Sequence, residues 1–548
     1  MKNVLFYQRP SFHEFRKDTQ QSVTVYGAHV ASSDLFTAFL QYGSYDSYWG
    51  LGDYADIQKS PVLPEFVNSK RLKIITLDNF STLALANDEV IIHTYTPFLY
   101  APTFLRAKFG RNFWPVTGVT YTISNYGILY EFFLNLTGDV HKNDCIVCIS
   151  QAVQQALKAI FEMLSERLAK ACNVDMRFKG QLNVIPLGVD CNRFQPRDKG
   201  KMREELAIPQ DKVVFLYVGR FSMSDKMDLF PLLLAFAEFV HEGADKAMLV
   251  MAGDDTKSNL VPLLKVFAKS LGIGNTVKFL PNISSDIKPK LLAASDIFVS
   301  PSDNVQESFG LTLIEAMASG LPVIASDWDG YKDIVIHNET GFLVTTYWSS
   351  CVKIFNQFAP FDDSVNHWLL AQSACVDSHL LKEYMVLLYN EASLREELGK
   401  NARRRACELY SWQAVVRCYE ALWEELLLCR QEGVEEQHNN NWLDLEPEYQ
   451  NVFSHYPSRW VRAADQIRLT ERGLKFLSGQ LLLPLLAQGP HYSPDTCKKI
   501  LRICKNRIKI GDVCNELATG SCTGTDVVFF HLMRAIKYGL LRLDDKGE

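Results

Sequence analysis

No stretch of the chain approaches the roughly 20 consecutive apolar residues that a membrane-spanning helix requires. The start, MKNVLFYQRPSFHEF, holds too short an apolar run for a secretory leader. Any membrane contact is therefore expected to be peripheral, with no transmembrane segment. Charge of one sign is also scarce: the formal net charge is -6 over 548 residues, which gives no global basic field. Nucleic acid is not expected as a partner on that ground. The thirteen cysteines stand singly, and pairs such as Cys145 with Cys148 or Cys172 with Cys191 lack the matching Cys/His set of a structural zinc site. Reduced thiols in a cytoplasmic protein are the expectation, and no metal site is expected. No exact internal repeat is visible.

What is present is a large apolar fraction, 47%, with 22% charged residues, enough for a chain of several domains with ample core. Up to about residue 200, β-rich runs alternate with amphipathic segments. SVTVYGAH precedes SDLFTAFLQYG; RLKIITL and EVIIHTYT precede FLYAPTFLRAKFG; FWPVTGVTY and DCIVCIS precede QAVQQALKAIFEMLSERLAK; LNVIPLGVD closes the series. The pattern restarts with VVFLYVGR, AMLVMAGDD, TVKFLP, IFVSPS, LPVIAS and GFLV, separated by helical runs. Such alternation predicts α/β architecture with two doubly wound parallel sheets.

The expected boundaries are 1–195 and 196–395 for these two Rossmann-like domains, joined through the proline- and charge-bearing LNVIPLGVDCNRFQPRDKGKMREEL. Helices over 396–432 are expected to pack back toward the first domain. A polar linker follows over 433–458, and 459–548 form a small, mainly helical unit resembling a winged-helix module. Ligands of open parallel sheets sit at the carboxyl ends of strands, so two facing sheets predict one deep cleft.

The chemistry concentrates in the second half. VVFLYVGR ends in Arg220, and Lys226 follows six positions later in FSMSDK; two cations beside a strand end suit a diphosphate. An interdomain salt bridge is the competing reading. In SPSDNVQESFGLTLIEAMASG, Phe309, Gly310 and Leu311 place free N–H groups at a helix start, which attracts phosphate. Glu307 in the loop before it can accept from ligand hydroxyls. Glu315 lies inside the otherwise apolar LTLIEAMA, where an unpaired carboxylate would be costly to bury, so a polar partner is expected; a ribose diol is the partner we infer. A capping Glu307 and a solvated Glu315 would be the bland alternative.

These motifs resemble the retaining glycosyltransferases of the large family 4 type, whose two Rossmann-like domains form the GT-B arrangement. The resemblance runs over about residues 20–430 and is strongest in VGRFSMSDKMD, ESFGLTLIEAMASGLPVIASDWDGYKDIV and GFLV. It implies that Arg220 and Lys226 hold the diphosphate of a nucleotide-sugar donor, Glu307 its sugar and Glu315 its ribose, with Phe309, Gly310, Leu311 and Thr312 supplying backbone contacts. It also implies no metal and no cofactor beyond the donor itself. Family members usually carry a Thr-His pair near the strand FWPVTGVTY; here Thr120 is followed by Tyr121, which can bond a hydroxyl or pack. His29 and His93 are alternative donor-sugar contacts, although a structural histidine is the commoner outcome for each. Gly27, in YGAHVASS, is a candidate on the opposite wall, in a turn that Ser33 or Asp34 would cap. Asp329 and Gly330, in WDGYKD, would line the cleft near the sugar, while Trp328 and Tyr331 suit either cleft or core.

The reading is a hexosyltransferase that moves a sugar to an acceptor hydroxyl of a glycan, a lipid-linked sugar or a small molecule. A sugar phosphorylase, a nucleotide-sugar epimerase and a non-catalytic regulator are the alternatives. For DNA binding by the tail, RAIKYGLLRL offers only Arg534, Lys537 and Arg542.

Overall fold

The computed structural model describes residues 2–7, 27–51, 71–75, 80, 89–111, 113–349, 363–429, 449–452, 454–482, 493–518 and 525–544. The chain divides into two compact units, Met1–Asp444 and Leu445–Glu548.

The first unit holds two parallel sheets. One is built from β1 (Asn3–Phe6), β2 (Ser47–Leu51), β3 (Leu72–Ile75), β4 (Val90–Thr94), β5 (Val116–Val119), β6 (Cys145–Cys148) and β7 (Gln181–Val184). Its order is β3-β2-β1-β4-β5-β6-β7. The second contains β8 (Val213–Val218), β9 (Ala247–Gly253), β10 (Val277–Pro281), β11 (Ile297–Ser300), β12 (Val323–Ser326) and β13 (Gly341–Val344), in the order β10-β9-β8-β11-β12-β13. Central strands such as VIIHT and IFVS are buried along their whole length, because helices cover both faces of a parallel sheet. The strand order reverses between β1 and β4 and between β8 and β11, the switch points where such sheets open a crevice.

The helices that matter below are α1 (Gly27–Tyr42), α2 (Gln151–Cys172), α3 (Ile287–Ala294) and α4 (Leu311–Ala318). An antiparallel pair, β14 (Thr346–Trp348) and β15 (Ala374–Val376), brackets α5 (Asp363–Ser373). Then come α6 (Ala392–Leu409), which packs on α4, and α7 (Trp412–Leu428), which packs on α1 in the first domain. The chain thus crosses between the domains twice, and the crossings touch: Val189 N–H donates to Tyr410 O at 2.7 Å. Gly188 sits where a Cβ would lie 2.3 Å from the Trp412 ring.

Two expectations for the N-terminal region need correction. An interior strand of the first sheet, paired on both sides, is NVLF at the very start, and SYWGL is its neighbour; neither stood out among the longer β-rich runs. In SVTVYGAH, residues 22–26 lie outside the described residues, and Gly27 to His29 are helical. Because α1 begins at Gly27, Ser33 and Asp34 lie inside the helix and cap nothing; Ser33 O accepts from Thr37 Oγ1.

The second unit has β16 (Gln466–Leu469), α8 (Glu471–Leu477), α9 (Pro494–Ile503), β17 (Ile508–Lys509), α10 (Ile510–Ala518), α11 (Thr525–Lys537) and β18 (Leu541–Leu543). Its sheet, β17-β16-β18, is antiparallel and shares a core with Cys497, Ile500, Leu501, Val513, Val528 and Leu532. Of the linker read over 433–458, residues 433–448 lie outside the described residues, and Tyr449–Val452 are helical. Among the described residues no helix is long and apolar enough to cross a membrane.

Candidate functional site

Arg220 and Lys226 lie in the loop leaving β8, and Glu307 in the loop leaving β11, so both sides of the second switch point carry charge. The loops are sewn together. Asn304 donates to Ser224 O at 3.0 Å, the Asp228 N–H donates to Asp303 Oδ1 at 3.2 Å, and Trp328 Nε1 donates to Asn304 O at 3.0 Å. Asp303 is nearly enclosed, and burial pushes its carboxyl up to about 7, with the Asp228 carboxylate adding to the effect.

Lys226 Nζ donates to Glu307 Oε2, and the Tyr331 hydroxyl donates to the same oxygen at 3.2 Å. Burial alone would raise the Glu307 carboxyl; the Lys226 ammonium, with Tyr331 and Arg220 in support, overrides this and holds it below its ordinary value. Glu307 is therefore an oriented carboxylate. Arg220 forks onto Asp225, Nη1 to Oδ2 at 2.9 Å and Nη2 to the backbone oxygen at 2.7 Å. Asp225 Oδ1 has no protein partner.

Gly310 caps α4 with φ +119°, a conformation that L side chains rarely adopt. It also lies over Tyr331, whose ring would be 2.7 Å from a Cβ there. The first backbone bond of the helix runs from Leu313 N–H to Gly310 O, so the N–H groups of Phe309 to Thr312 precede the ladder. Gly330 permits the close approach of this loop, since its Cβ would lie 2.6 Å from Ser308 O. Beside it Asp329 adopts φ 48°. Burial, then the nearby Glu307 charge, pushes its carboxyl well above the carboxylate range.

Glu315 is 9% exposed and has the expected polar partner. Lys288 of α3 donates to Glu315 Oε1 at 2.6 Å, which leaves Oε2 buried without a protein partner. Thr312 Oγ1 is in the same position. Asp225 Oδ1, Thr312 Oγ1 and Glu315 Oε2 are thus enclosed with no hydrogen-bond partner among the described residues; a carboxylate oxygen suits a hydroxyl donor and the threonine hydroxyl suits either a hydroxyl or a phosphate.

The structure brings Arg220, Lys226, Glu307, Asp329, Gly330 and the turn of Phe309, Gly310, Leu311 and Thr312 together at this switch point, with Glu315 further along α4. It does not bring His93 there. His93 is fully buried in the first sheet, with Nδ1 2.9 Å from Thr117 Oγ1. The rings of Phe6, Phe39, Tyr95, Tyr419 and Trp423 surround it, and burial pushes its imidazole down to about 3. It is a neutral core histidine. Tyr121 leans on the same core with its hydroxyl enclosed, and burial raises its phenol; it packs rather than presenting a hydroxyl. Gly27 and His29 occupy the first turn of α1, and their side chains lie outside the described residues.

Sequence reasoning missed four contributors. Tyr331 was left between cleft and core, and it is both: fully buried, yet bonded to Glu307 and to Ser300 Oγ at 2.9 Å. Lys288 lies in IKPKLLAASD, where nothing local marks it. Asp34 of α1 stands within electrostatic reach of Arg193, Glu315, Lys288 and Asp190. Although it keeps exposed surface, loss of water pushes its carboxyl up to about 6. His367 of α5 spans the domains, with Nδ1 2.9 Å from Gln306 Nε2 and Nε2 3.1 Å from Ser124 O. A second tie runs from Ser150 Oγ, at the start of α2, to Ser308 O at 2.8 Å.

Against known proteins, the likeness comes first at the level of class. Residues 198–359 match the family described as glycosyl transferases group 1, and the two Rossmann-like domains form the GT-B arrangement. Two solved structures carry that fold comparison. The Anabaena protein HepE in complex with UDP aligns with 78% of this chain and 100% of its own, at a TM-score of 0.52 and 18% identity. A glycosyltransferase from Rickettsia africae aligns with 78% and 98%, at 0.52 and 17%.

Among particular proteins, D-inositol 3-phosphate glycosyltransferase 2 of Catenulispora acidiphila is 35% identical over 170 residues, 30% of this chain and 39% of that protein. The D-inositol 3-phosphate glycosyltransferase of Geodermatophilus obscurus is 35% identical over 166 residues, 29% and 36% of the two. The chain thus matches less than half the length of these relatives.

Proposed function

We propose that the protein is a retaining glycosyltransferase that moves a sugar from a nucleotide-sugar donor to an acceptor hydroxyl, working without a metal in the cytoplasm. One observation carries the reading: an ionised Glu307, held by Lys226 and Tyr331, stands before the open N-terminus of α4, while Glu315 on the same helix keeps one buried oxygen unmatched. The match over residues 198–359 supports it, as does the UDP held by HepE on the same fold.

In this reading Glu307 binds hydroxyls of the donor sugar, and Glu315 Oε2 accepts from the ribose. Arg220, Lys226 and the N–H groups of Phe309 to Thr312 face the diphosphate. The anomeric carbon–oxygen bond breaks toward the phosphate, whose developing charge these cations and dipoles stabilise. The acceptor oxygen bonds to the anomeric carbon from the same face and passes its proton to the departing phosphate oxygen. No protein nucleophile is invoked. The acceptor, whether glycan, lipid-linked sugar or small molecule, enters from the first-domain side.

A thermal-shift screen of UDP-, GDP- and ADP-sugars identifies the donor, since a ligand at 100 times its Kd stabilises by about 2.7 kcal/mol. Proton NMR of the anomeric signal soon after mixing then tests the chemistry. An α-linked donor is expected to give an α-linked first product. A β-linked first product would overturn the retaining mechanism, and conversion of donor without acceptor would replace transfer by epimerisation.

A further inference from the structure

The second unit inverts the charge balance of the chain. Over residues 459–548 Lys and Arg outnumber Asp and Glu, whereas the whole chain has 57 of the former and 63 of the latter. The carboxylates are partly spent internally: Asp465 on Arg459, Glu471 on Lys475, and Asp544 on both Arg468 and Arg507. The cations left over gather on α9 and the turn after it. Cys497, Ile500, Leu501 and Cys504 form its buried stripe. On the other side of the helix Lys498, Lys499 and Arg502 are exposed, as are Lys505 in the turn after it and Lys509 of β17, and none of them forms an ion pair among the described residues. Asp495, in the first turn, is the only carboxylate within α9 itself. The scattered cations of RAIKYGLLRL are not the electrostatic feature of this unit; those of KKILRICKNRIK are.

From this we propose that the cationic face of α9 docks the second unit on an anionic lipid surface. Five unpaired cations, three on one side of a short helix and two in the segment that follows it, leave the protein with a local positive field that an array of anionic headgroups complements. Four of the five are lysines, compact charges suited to a diffuse surface rather than to bidentate recognition. The neighbouring α8 packs on α9 and exposes Leu474 (53%), and just beyond its end Leu482 is 82% exposed. Apolar side chains beside a cationic face match the boundary between headgroups and acyl chains, whereas a nucleic-acid backbone offers leucine nothing. Among the described residues the unit's longest helix, α11, turns Asp526, Phe530, Met533 and Lys537 outward, one exposed cation offset by one carboxylate, so the concentrated charge is that of α9.

The test uses the full-length chain in flotation with vesicles of phosphatidylcholine alone or mixed with phosphatidylglycerol, at low and high salt. Binding is expected only to the phosphatidylglycerol vesicles and is expected to weaken with salt. The double variant Lys498→Gln with Lys499→Gln is expected to lower it about 25-fold, at roughly fivefold per cation, with an unchanged circular dichroism spectrum, since Gln and Lys suit an exposed helix equally. Leu482→Ser is expected to lower binding less, with the salt dependence kept. Equal binding to both vesicle types, undiminished binding by the lysine variant, or no vesicle binding together with salt-sensitive binding of duplex DNA would overturn the proposal.

Discussion

The two sheets of the first unit share one architecture and fill their switch points in opposite ways. At the first, between β1 and β4, the chain packs an aromatic box around His93 and roofs it with Tyr419 and Trp423 of α7, a helix that arrives from the far end of the unit. At the second, between β8 and β11, it places Arg220, Lys226, Glu307 and Asp329, with Glu315 nearby on α4 and one of its oxygens unmatched. Burying charges costs free energy even when they are paired, so gathering paired charges at one switch point, where the equivalent place holds a neutral histidine among aromatic rings, favours the second as the ligand site. Catalytic groups tend to collect where stability is sacrificed.

The sharpest way to break that contrast is to put an unpaired charge into the first sheet. Arg106 and Asp144 are fully enclosed there, with Nη1–Oδ1 at 2.5 Å, and Asp144 also accepts from Val116 N–H and His141 N–H. Arg106→Ala strands that carboxylate and is expected to cost about 3–5 kcal/mol, as breaking a buried pair does. Chemical denaturation would show it as a lower midpoint. If stability falls by less than about 1 kcal/mol, the first sheet is not the rigid, ligand-independent half that the comparison requires.

A smaller effect, of opposite kind, is expected in the second sheet. Glu307→Gln keeps the shape but weakens the Lys226 contact, and transfer is expected to fall about 100-fold, within the range for losing one electrostatic contact to a transition state. Glu315→Ala is expected to raise the KM for donor more than it lowers kcat, because the role proposed for it is to hold the ribose end. Both variants should melt within a few degrees of the unaltered protein. A folded Glu315→Ala with near-normal kinetics would remove the α4 carboxylate from the site.

The second half of the unit was legible because its elements are local. Each strand there is a continuous apolar run bounded by a turn, and the site motif lies within one stretch from Ser302 to Tyr331. The first half was less so. NVLF is four residues long, yet the strand pairing β1 with β2 and β4 makes it interior. His93 read as a cleft candidate because it closes EVIIH; its burial depends on α7, more than 300 residues away in sequence, which donates Trp423 Nε1 to Thr117 Oγ1 at 3.2 Å. Lys288 and Asp34 were invisible for the same reason: only tertiary packing brings α3 and α1 to Glu315. The cationic α9 read as a helix, but its charge mattered only once burial of Cys497, Ile500 and Leu501 had turned every lysine to one side.

The least effect expected, and the finest test of the contrast, is in pH. His93 is held down to about 3 by burial, against about 6.5 in an unfolded chain. The unfolded state therefore binds more protons between these values, so the stability His93 contributes is fully present above about pH 6.5 and is lost as pH falls toward 3. Asp303 is the reverse. Burial lifts its carboxyl to about 7, above the unfolded value of about 3.9, so the stability tied to its proton is present below about pH 4 and is lost as pH rises toward 7. Local hydrogen exchange separates the two. Compared with wild type, His93→Phe is expected to flatten the loss of protection in β4 and β5 on acidification. Asp303→Asn is expected to flatten the loss around β11 and the 220–228 loop as pH climbs from 4 to 7. If neither substitution alters its own sheet's pH slope, or each alters the other's, then burial does not set the charge states of the two switch points in the manner their packing demands.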